Sequence, residues 1–213
     1  MKIKIPFPDQ YQEIRDALRD LCAKFDASYW QKIDHERNYP ELFVDELTKA
    51  GWLSALIPSE FGGSGLGLAE ATVIMEEINF SGGNAGSCHG QMYNMSTLLK
   101  HGSKAQKEKY LPKIASGELR LQSMAVTEPT TGTDTTQLKT TAEKKEDRFI
   151  INGQKVWISR VQHSDLMILL ARTTPLKEVK KKSEGMSIFI VHLNEVIGKG
   201  LSVKPIRNMV NHE

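Results

Sequence analysis

Residues 149–159 read FIINGQKVWIS, and the reading of this stretch decides what kind of fold surrounds it. Phe149, Ile150 and Ile151 are β-prone, and so are Val156, Trp157 and Ile158. Between them stands Asn152-Gly153, the pair that suits a type I′ turn, so the stretch predicts a β-hairpin. Along a strand the side chains alternate, which would put Lys155, Trp157 and Ser159 on one face. A large flat ring and a hydroxyl two residues apart on a shared face suit a planar ligand with polar edges. The plainer alternative is that Trp157 fills core, as strand aromatics usually do.

Downstream, DLMILLA at 165–171 is continuously apolar and reads as a strand buried on both faces. MSIFIVHL at 186–193 is a further strand. Between them, residues 173–185 carry KEVKKK and one serine and read as a solvated loop, with a basic contact for a phosphate as the weaker reading. Upstream, residues 125–136 read AVTEPTTGTDTT. Glu128 precedes a proline and is pushed to an extended shape. Pro129 fixes its own φ, and Gly132 can take a left-handed φ. With the hydroxyls of Thr127, Thr130, Thr131 and Thr133, the loop becomes a stiff array of hydrogen-bonding groups, or simply a polar turn.

Before Gly117 the period changes to that of helices. Tyr11, Ile14, Leu18, Leu21 and Phe25 lie on one helix face. Pro40 suits the first turn of a second helix, Leu42, Phe43 and Leu47 give its stripe, and Gly51 stops it. Leu68, Ala71, Met75 and Ile78 mark a third. Met92, Met95 and Leu99 mark a fourth, ending near Gly102. Ser103 caps a fifth, which Pro112 should bend or restart and Gly117 should end. The expected fold class is α+β: an N-terminal all-α helical domain over residues 1–120, then a β-barrel-like middle domain over 121–213. The closing KPIRNMVNHE has no cap or turn, so the sheet is expected to be incomplete and the chain truncated.

The chain has 213 residues, 39% hydrophobic and 25% charged, an ordinary globular mixture. A formal net charge of +2, spread along the chain, argues against a nucleic-acid partner. The longest apolar run, Leu166 to Ala171, is too short to cross a bilayer, so no membrane partner is expected. MKIKIPFPDQ has no signal-peptide core, and the expected location is cytoplasmic, or the mitochondrial matrix in a eukaryote. Cys22 and Cys88 read as reduced thiols. The histidines, including His212, form no HExxH and no close cysteine pairing, so no metal site is expected. The glycines of IPSEFGGSGLGLAE at 57–70 have the wrong spacing for a dinucleotide-binding turn and read as a tight turn into the third helix.

Four stretches, IPSEFGGSGLG, KYLPKIASGE, AVTEPTTGTD and INGQKVWIS, stand in an order and spacing that resemble the acyl-CoA dehydrogenases. The resemblance covers nearly the whole chain. It implies the helical and middle domains of that family, without its C-terminal helical domain. It implies FAD as cofactor, with Met124, Val126 and Thr127 facing the isoalloxazine ring and Thr127 near its pyrimidine edge. Trp157 and Ile158 would lie along the ring, and Ser159 would approach N5. Gly132 and Thr133 would lie near the FAD pyrophosphate, and Thr133 also near the coenzyme A part of the substrate. The implied reaction is α,β-dehydrogenation of an acyl-CoA thioester with hydride transfer to flavin N5, as in fatty-acid β-oxidation. Electron-transfer flavoprotein would be the acceptor, and the full-length form a homo-tetramer or dimer. The family's catalytic glutamate belongs to the absent domain, so no catalytic residue is assigned and the chain alone is expected to be inactive. An oxidase or monooxygenase on the same scaffold, or a non-catalytic fragment that binds flavin or coenzyme A, are the alternatives. Ser159 stands where threonine is frequent in the family, Thr133 where serine is common, and Arg160 where a smaller or neutral side chain is usual.

Overall fold

The computed structural model describes residues 10–208; the chain's first nine and last five residues, His212 among the latter, lie outside the described residues. The described chain divides into two compact units, one ending at Glu118 and the other running from Leu119 to Asn208.

The first unit is helical. Helix α1 (Gln12–Cys22) buries Leu18, Leu21 and Cys22, and also Arg15. The buried guanidinium has a partner on helix α4 (Leu68–Phe80). Arg15 donates to Glu77 at 3.0 Å and to Glu76 at 2.6 Å, and Arg19 donates to Glu77 at 2.8 Å. A fully buried glutamate is tolerated here because two arginines cancel its charge. The apolar stripe of α4 is therefore Ala71, Val73, Ile74 and Ile78. Leu68, expected on that stripe, is 72% exposed.

Helix α2 (Ala27–Glu36) is an element the sequence reading did not foresee. Asp26 caps it, accepting from the Tyr29 amide at 3.0 Å. No residue of α2 is fully buried. An edge-to-face aromatic cluster of Phe25, Tyr29, Trp30 and Phe43 holds it instead. Phe25, expected on the first helix, lies in the turn before α2.

Helix α3 (Glu41–Lys49) begins directly after Pro40, and Gly51 reverses the chain at φ +80°. The glycine-rich stretch folds back as a tight turn: Gly65 and Leu66 donate to the carbonyls of Ile57 and Ala55, both at 2.8 Å. A side chain at Gly63 would overlap the Ile57 backbone, so only glycine fits that approach. Helix α5 (His89–His101) and helix α6 (Lys104–Ala115) follow. Ser103 and Gln106 form a reciprocal capping box at the start of α6. Contrary to expectation, α6 continues through Pro112 without a restart, and Tyr110, Leu111 and Ile114 keep its last turns buried.

The second unit is an open mixed sheet of five strands: β1 (Ser123–Ala125), β2 (Thr141–Lys145), β3 (Arg148–Asn152), β4 (Leu166–Arg172) and β5 (Met186–His192). Strand β4 is the spine. It pairs parallel with β1 and, at one position, with β2, and antiparallel with β5. That accounts for the continuous apolar run: Leu166, Met167, Ile168, Leu169 and Ala171 are all buried. One face carries a cluster of Ala125, Val161, Met167, Leu169 and Leu193, against which Ile151, Ile158, Phe189 and Val191 pack. A single turn of helix, α7 (Leu193–Val196), follows β5.

The expected hairpin about Asn152-Gly153 does not form. β3 pairs instead with β2, on its N-terminal side, in the register Thr141↔Asn152 to Lys145↔Arg148. The tight turn is Glu146-Asp147, with Glu146 at φ 56°. β3 ends at Asn152, and residues 153–159 are irregular. Gly153 serves close approach: a Cβ there would collide with Thr140.

Candidate functional site

The site residues anticipated from sequence all belong to the second unit, on two segments: the loop leaving β1 and the irregular stretch after β3. In β1 the pleat turns Ser123 and Ala125 inward, both at 0% exposure, and leaves Met124 half-buried on the other face. The Ser123 hydroxyl donates to the Ser159 carbonyl at 2.9 Å and lies 3.0 Å from the Ser164 hydroxyl. The far end of the 155–160 stretch is thereby tied to β1.

Its near end is tied to the loop. Val156 N–H donates to the Thr127 carbonyl at 2.9 Å. The Lys155 ammonium donates to the Val126 carbonyl at 3.0 Å and to the Glu128 carboxylate at 2.9 Å. Glu128 also accepts from the amides of Lys139 at 2.6 Å and Thr140 at 2.9 Å. Its own backbone closes a turn with Thr131 in both directions, at 2.9 and 3.1 Å. Lys155 and Glu128 side chains are 9% and 3% exposed, so this is an interior ion pair. Burial alone would raise the Glu128 pKa, but bonds from Thr140, Lys139 and Lys155 outweigh it and hold the carboxyl at about 2.

The anticipated shared face of Lys155, Trp157 and Ser159 is corrected. Alternation applies to strands, and this stretch is not one. Lys155 turns inward, whereas Trp157 is 69% exposed and sits at φ 62°. That exposure also rules out core filling by the indole. Left-handed backbone costs a non-glycine residue about 1–2 kcal/mol, and Arg160 repeats it at φ 62°. Two such turns bracket Ile158, which packs on the sheet core, and Ser159, which is exposed. Strain persists where the surroundings over-determine the backbone, and it clusters at functional sites.

Gly132 and Thr133 are exposed beyond the Glu128–Thr131 turn. Gly132 does not adopt the left-handed φ expected of it, and a Cβ there would meet nothing within 4 Å. Of the loop hydroxyls, that of Thr131 turns inward to the Gln137 carbonyl at 3.4 Å. Asp134 caps the following turn, accepting from Thr136 N at 3.1 Å. Arg172, 5% exposed, holds the turn from beneath. It donates to the carbonyls of Thr136 at 2.6 Å, Lys182 at 3.0 Å and Glu184 at 3.1 Å.

Thr127 completes the picture. Its carbonyl accepts from Val156, but its N–H and hydroxyl have no hydrogen-bond partner among the described residues. A donor beside an exposed indole on a braced backbone can receive a flat, polar-edged ring. Ser123, Glu128 acting as a brace for Lys155, and Arg172 were missed as parts of this arrangement; a lone charge in otherwise apolar or turn sequence was the only signal for Glu128 and Arg172, and Ser123 left none. Among the described residues no cluster of three or more His, Cys, Asp or Glu is placed to hold a metal ion, and no helix is long and apolar enough to cross a membrane.

Residues 8–118 match the family model "Acyl-CoA dehydrogenase, N-terminal domain", and residues 123–212 match "Acyl-CoA dehydrogenase, middle domain". The chain belongs to the acyl-CoA dehydrogenase family. Members of this family are FAD-binding flavoproteins. Among relatives, it is 36% identical to mitochondrial isovaleryl-CoA dehydrogenase of Pongo abelii, over 86% of this chain and 44% of that protein. It is 33% identical to cyclohex-1-ene-1-carbonyl-CoA dehydrogenase of Syntrophus aciditrophicus, over 86% of this chain and 44% of that protein. A solved acyl-CoA dehydrogenase from Geobacillus kaustophilus superposes with a TM-score of 0.78 at 27% identity, over 90% of this chain and 50% of that one. The chain thus spans less than half the length of these two relatives.

Proposed function

We propose that this chain is the helical and sheet portion of an FAD-dependent acyl-CoA dehydrogenase, and that its sheet unit carries the flavin-facing surface. The observation that carries the reading is the exposed, left-handed Trp157 on a segment bonded to the Thr127 backbone, whose N–H has no acceptor among the described residues. Met124, Val126 and Thr127 present backbone to the isoalloxazine, Trp157 and Ile158 border it, and Ser159 offers a hydroxyl to it. Gly132 and Thr133 lie on the phosphate side, with Thr133 also toward coenzyme A. When bound, FAD supplies the two-electron redox chemistry that desaturates an acyl thioester. The chain's own residues orient the ring and preplace donors at an edge that gains negative charge on reduction.

Glu128 is not the base. A general base must be able to take up a proton near the working pH and reach the substrate. Glu128 is buried, bonded to three N–H donors and held at about 2. The base, much of the acyl pocket and the oligomer contacts are assigned to the part of the relatives that this chain does not match. The substrate is an acyl-CoA, the electron acceptor an electron-transfer flavoprotein, and the complete protein a homo-oligomer.

The test is to express the chain, incubate it with FAD, remove free flavin and record the visible spectrum. A yellow protein whose Trp157 fluorescence is quenched is expected, with the quenching lost in Trp157→Phe. A colourless protein overturns the flavin reading. In a polypeptide extended to the relatives' length, fast reoxidation of reduced flavin by oxygen would favour an oxidase, and bleaching by no acyl-CoA would favour a non-catalytic role.

A further inference from the structure

We propose that Lys155 is a positioning residue for the flavin: by donating to the Val126 carbonyl it polarises the Val126–Thr127 peptide and strengthens the Thr127 N–H as a donor to the anionic edge of the reduced ring. The inference rests on the flavin reading above and adds to it a residue outside the surface assigned to the ring.

Three observations carry it. The Lys155 ammonium lies 3.0 Å from the Val126 oxygen. The carbonyl and the Thr127 N–H are the two ends of one planar amide, so charge drawn toward the oxygen leaves the N–H more positive. That N–H has no acceptor among the described residues, and so the polarisation acts on a donor open to a ligand. Finally, the same ammonium sits 2.9 Å from Glu128, the residue immediately after Thr127. An interior carboxylate this close would repel a ring that gains negative charge. Lys155 cancels it, and the pair leaves the amide with a net attraction. A purely structural role would need the Glu128 contact alone; the second bond, to the Val126 carbonyl, is the one that reaches the ligand-facing backbone.

The test compares wild type, Lys155→Met and Lys155→Arg, each loaded with FAD. Lys155→Met is expected to lose about tenfold in its preference for reduced over oxidised flavin, the scale of one strengthened hydrogen bond, which for a two-electron couple lowers the midpoint potential by about 30 mV. Lys155→Arg keeps the cation and is expected to restore most of that loss. In the flavin-free chain, the Thr127 amide proton is expected to move upfield in Lys155→Met and not in Lys155→Arg. If Lys155→Met fails to fold, the double variant Glu128→Gln/Lys155→Met, which leaves no lone interior charge, takes its place and is also expected below wild type. A midpoint equal to wild type in the variant without the cation overturns the proposal, and so does a shift in Lys155→Arg as large as in Lys155→Met. A wild-type chain that takes up no FAD instead defeats the flavin reading itself, and this inference with it.

Discussion

Replacing Glu128 with glutamine keeps the shape of the side chain and removes its charge. In the native loop the carboxylate accepts from Lys139 N, Thr140 N and Lys155 Nζ at 3% side-chain exposure. Glutamine offers one acceptor oxygen, and its amide group points donors at donors. The interior lysine also loses its counter-charge, a change that costs about 3–5 kcal/mol in buried pairs. The same bonds, expressed as a lowered carboxyl pKa, give a figure of similar size. The Glu128 carboxyl falls from its ordinary 4.5 to about 2, which at about 1.36 kcal/mol per pH unit is worth about 3 kcal/mol. Because the folded value is the lower one, this stabilisation is fully present above pH 4.5 and disappears as pH falls toward 2. Urea unfolding, followed by hydrogen exchange in peptides from β1 and β4, should therefore place Glu128→Gln about 3 kcal/mol below wild type at pH 7. The gap should close steadily between pH 4.5 and 2. Equal stability at pH 7, or a gap that does not change with pH, would refute the argument that Glu128 is an ionised brace.

In the sheet unit, Gly153→Ala forces a methyl into Thr140 and should cost about 1–3 kcal/mol by overpacking, read as a lower urea midpoint at an unchanged slope. Trp157→Gly should leave the flavin-free chain within about 1 kcal/mol of wild type by the same measurement, because relief of the left-handed φ offsets the greater chain entropy of glycine. That variant should nevertheless lose FAD, as judged by its visible spectrum. In the helical unit, Glu77→Leu removes one of the interior Arg15's two carboxylate partners and leaves Glu76, and should destabilise α1 and α4 by about 2 kcal/mol. Arg15→Met/Glu77→Leu together should recover much of that loss in thermal melts.

The helical half was largely legible because its core is written in residues three and four apart. Where the reading failed, the stabilising contact was not periodic. α2 is held by a clasp of aromatic edges involving Phe43 from another helix, and the buried face of α4 includes a glutamate that makes sense only beside Arg15 and Arg19. The spine strand β4 was legible as an unbroken apolar run. Its neighbour β2, TAEKK, was not, since only Ala142 in it is buried and its charges read as loop. Missing β2 left Phe149–Ile151 with a turn on the wrong side, and Asn152-Gly153 supplied an attractive false partner. Trp157 was singled out on a strand geometry that does not exist here. Its exposure comes instead from a left-handed turn, which no side-chain pattern announces. The Lys155–Glu128 pair was hidden because its members stand 27 positions apart and pairing across a fold leaves no local trace.

The most direct measurement is a titration of the nitrogen-15-labelled chain with FAD, observed at the amide of Thr127 and the indole of Trp157. Both resonances should shift with the same saturation curve, together with neighbours at Val126 and Ile158–Ser159, while the helical residues before Glu118 stay in place. Saturable FAD binding that moves resonances elsewhere and leaves Thr127 and Trp157 unchanged would contradict the account.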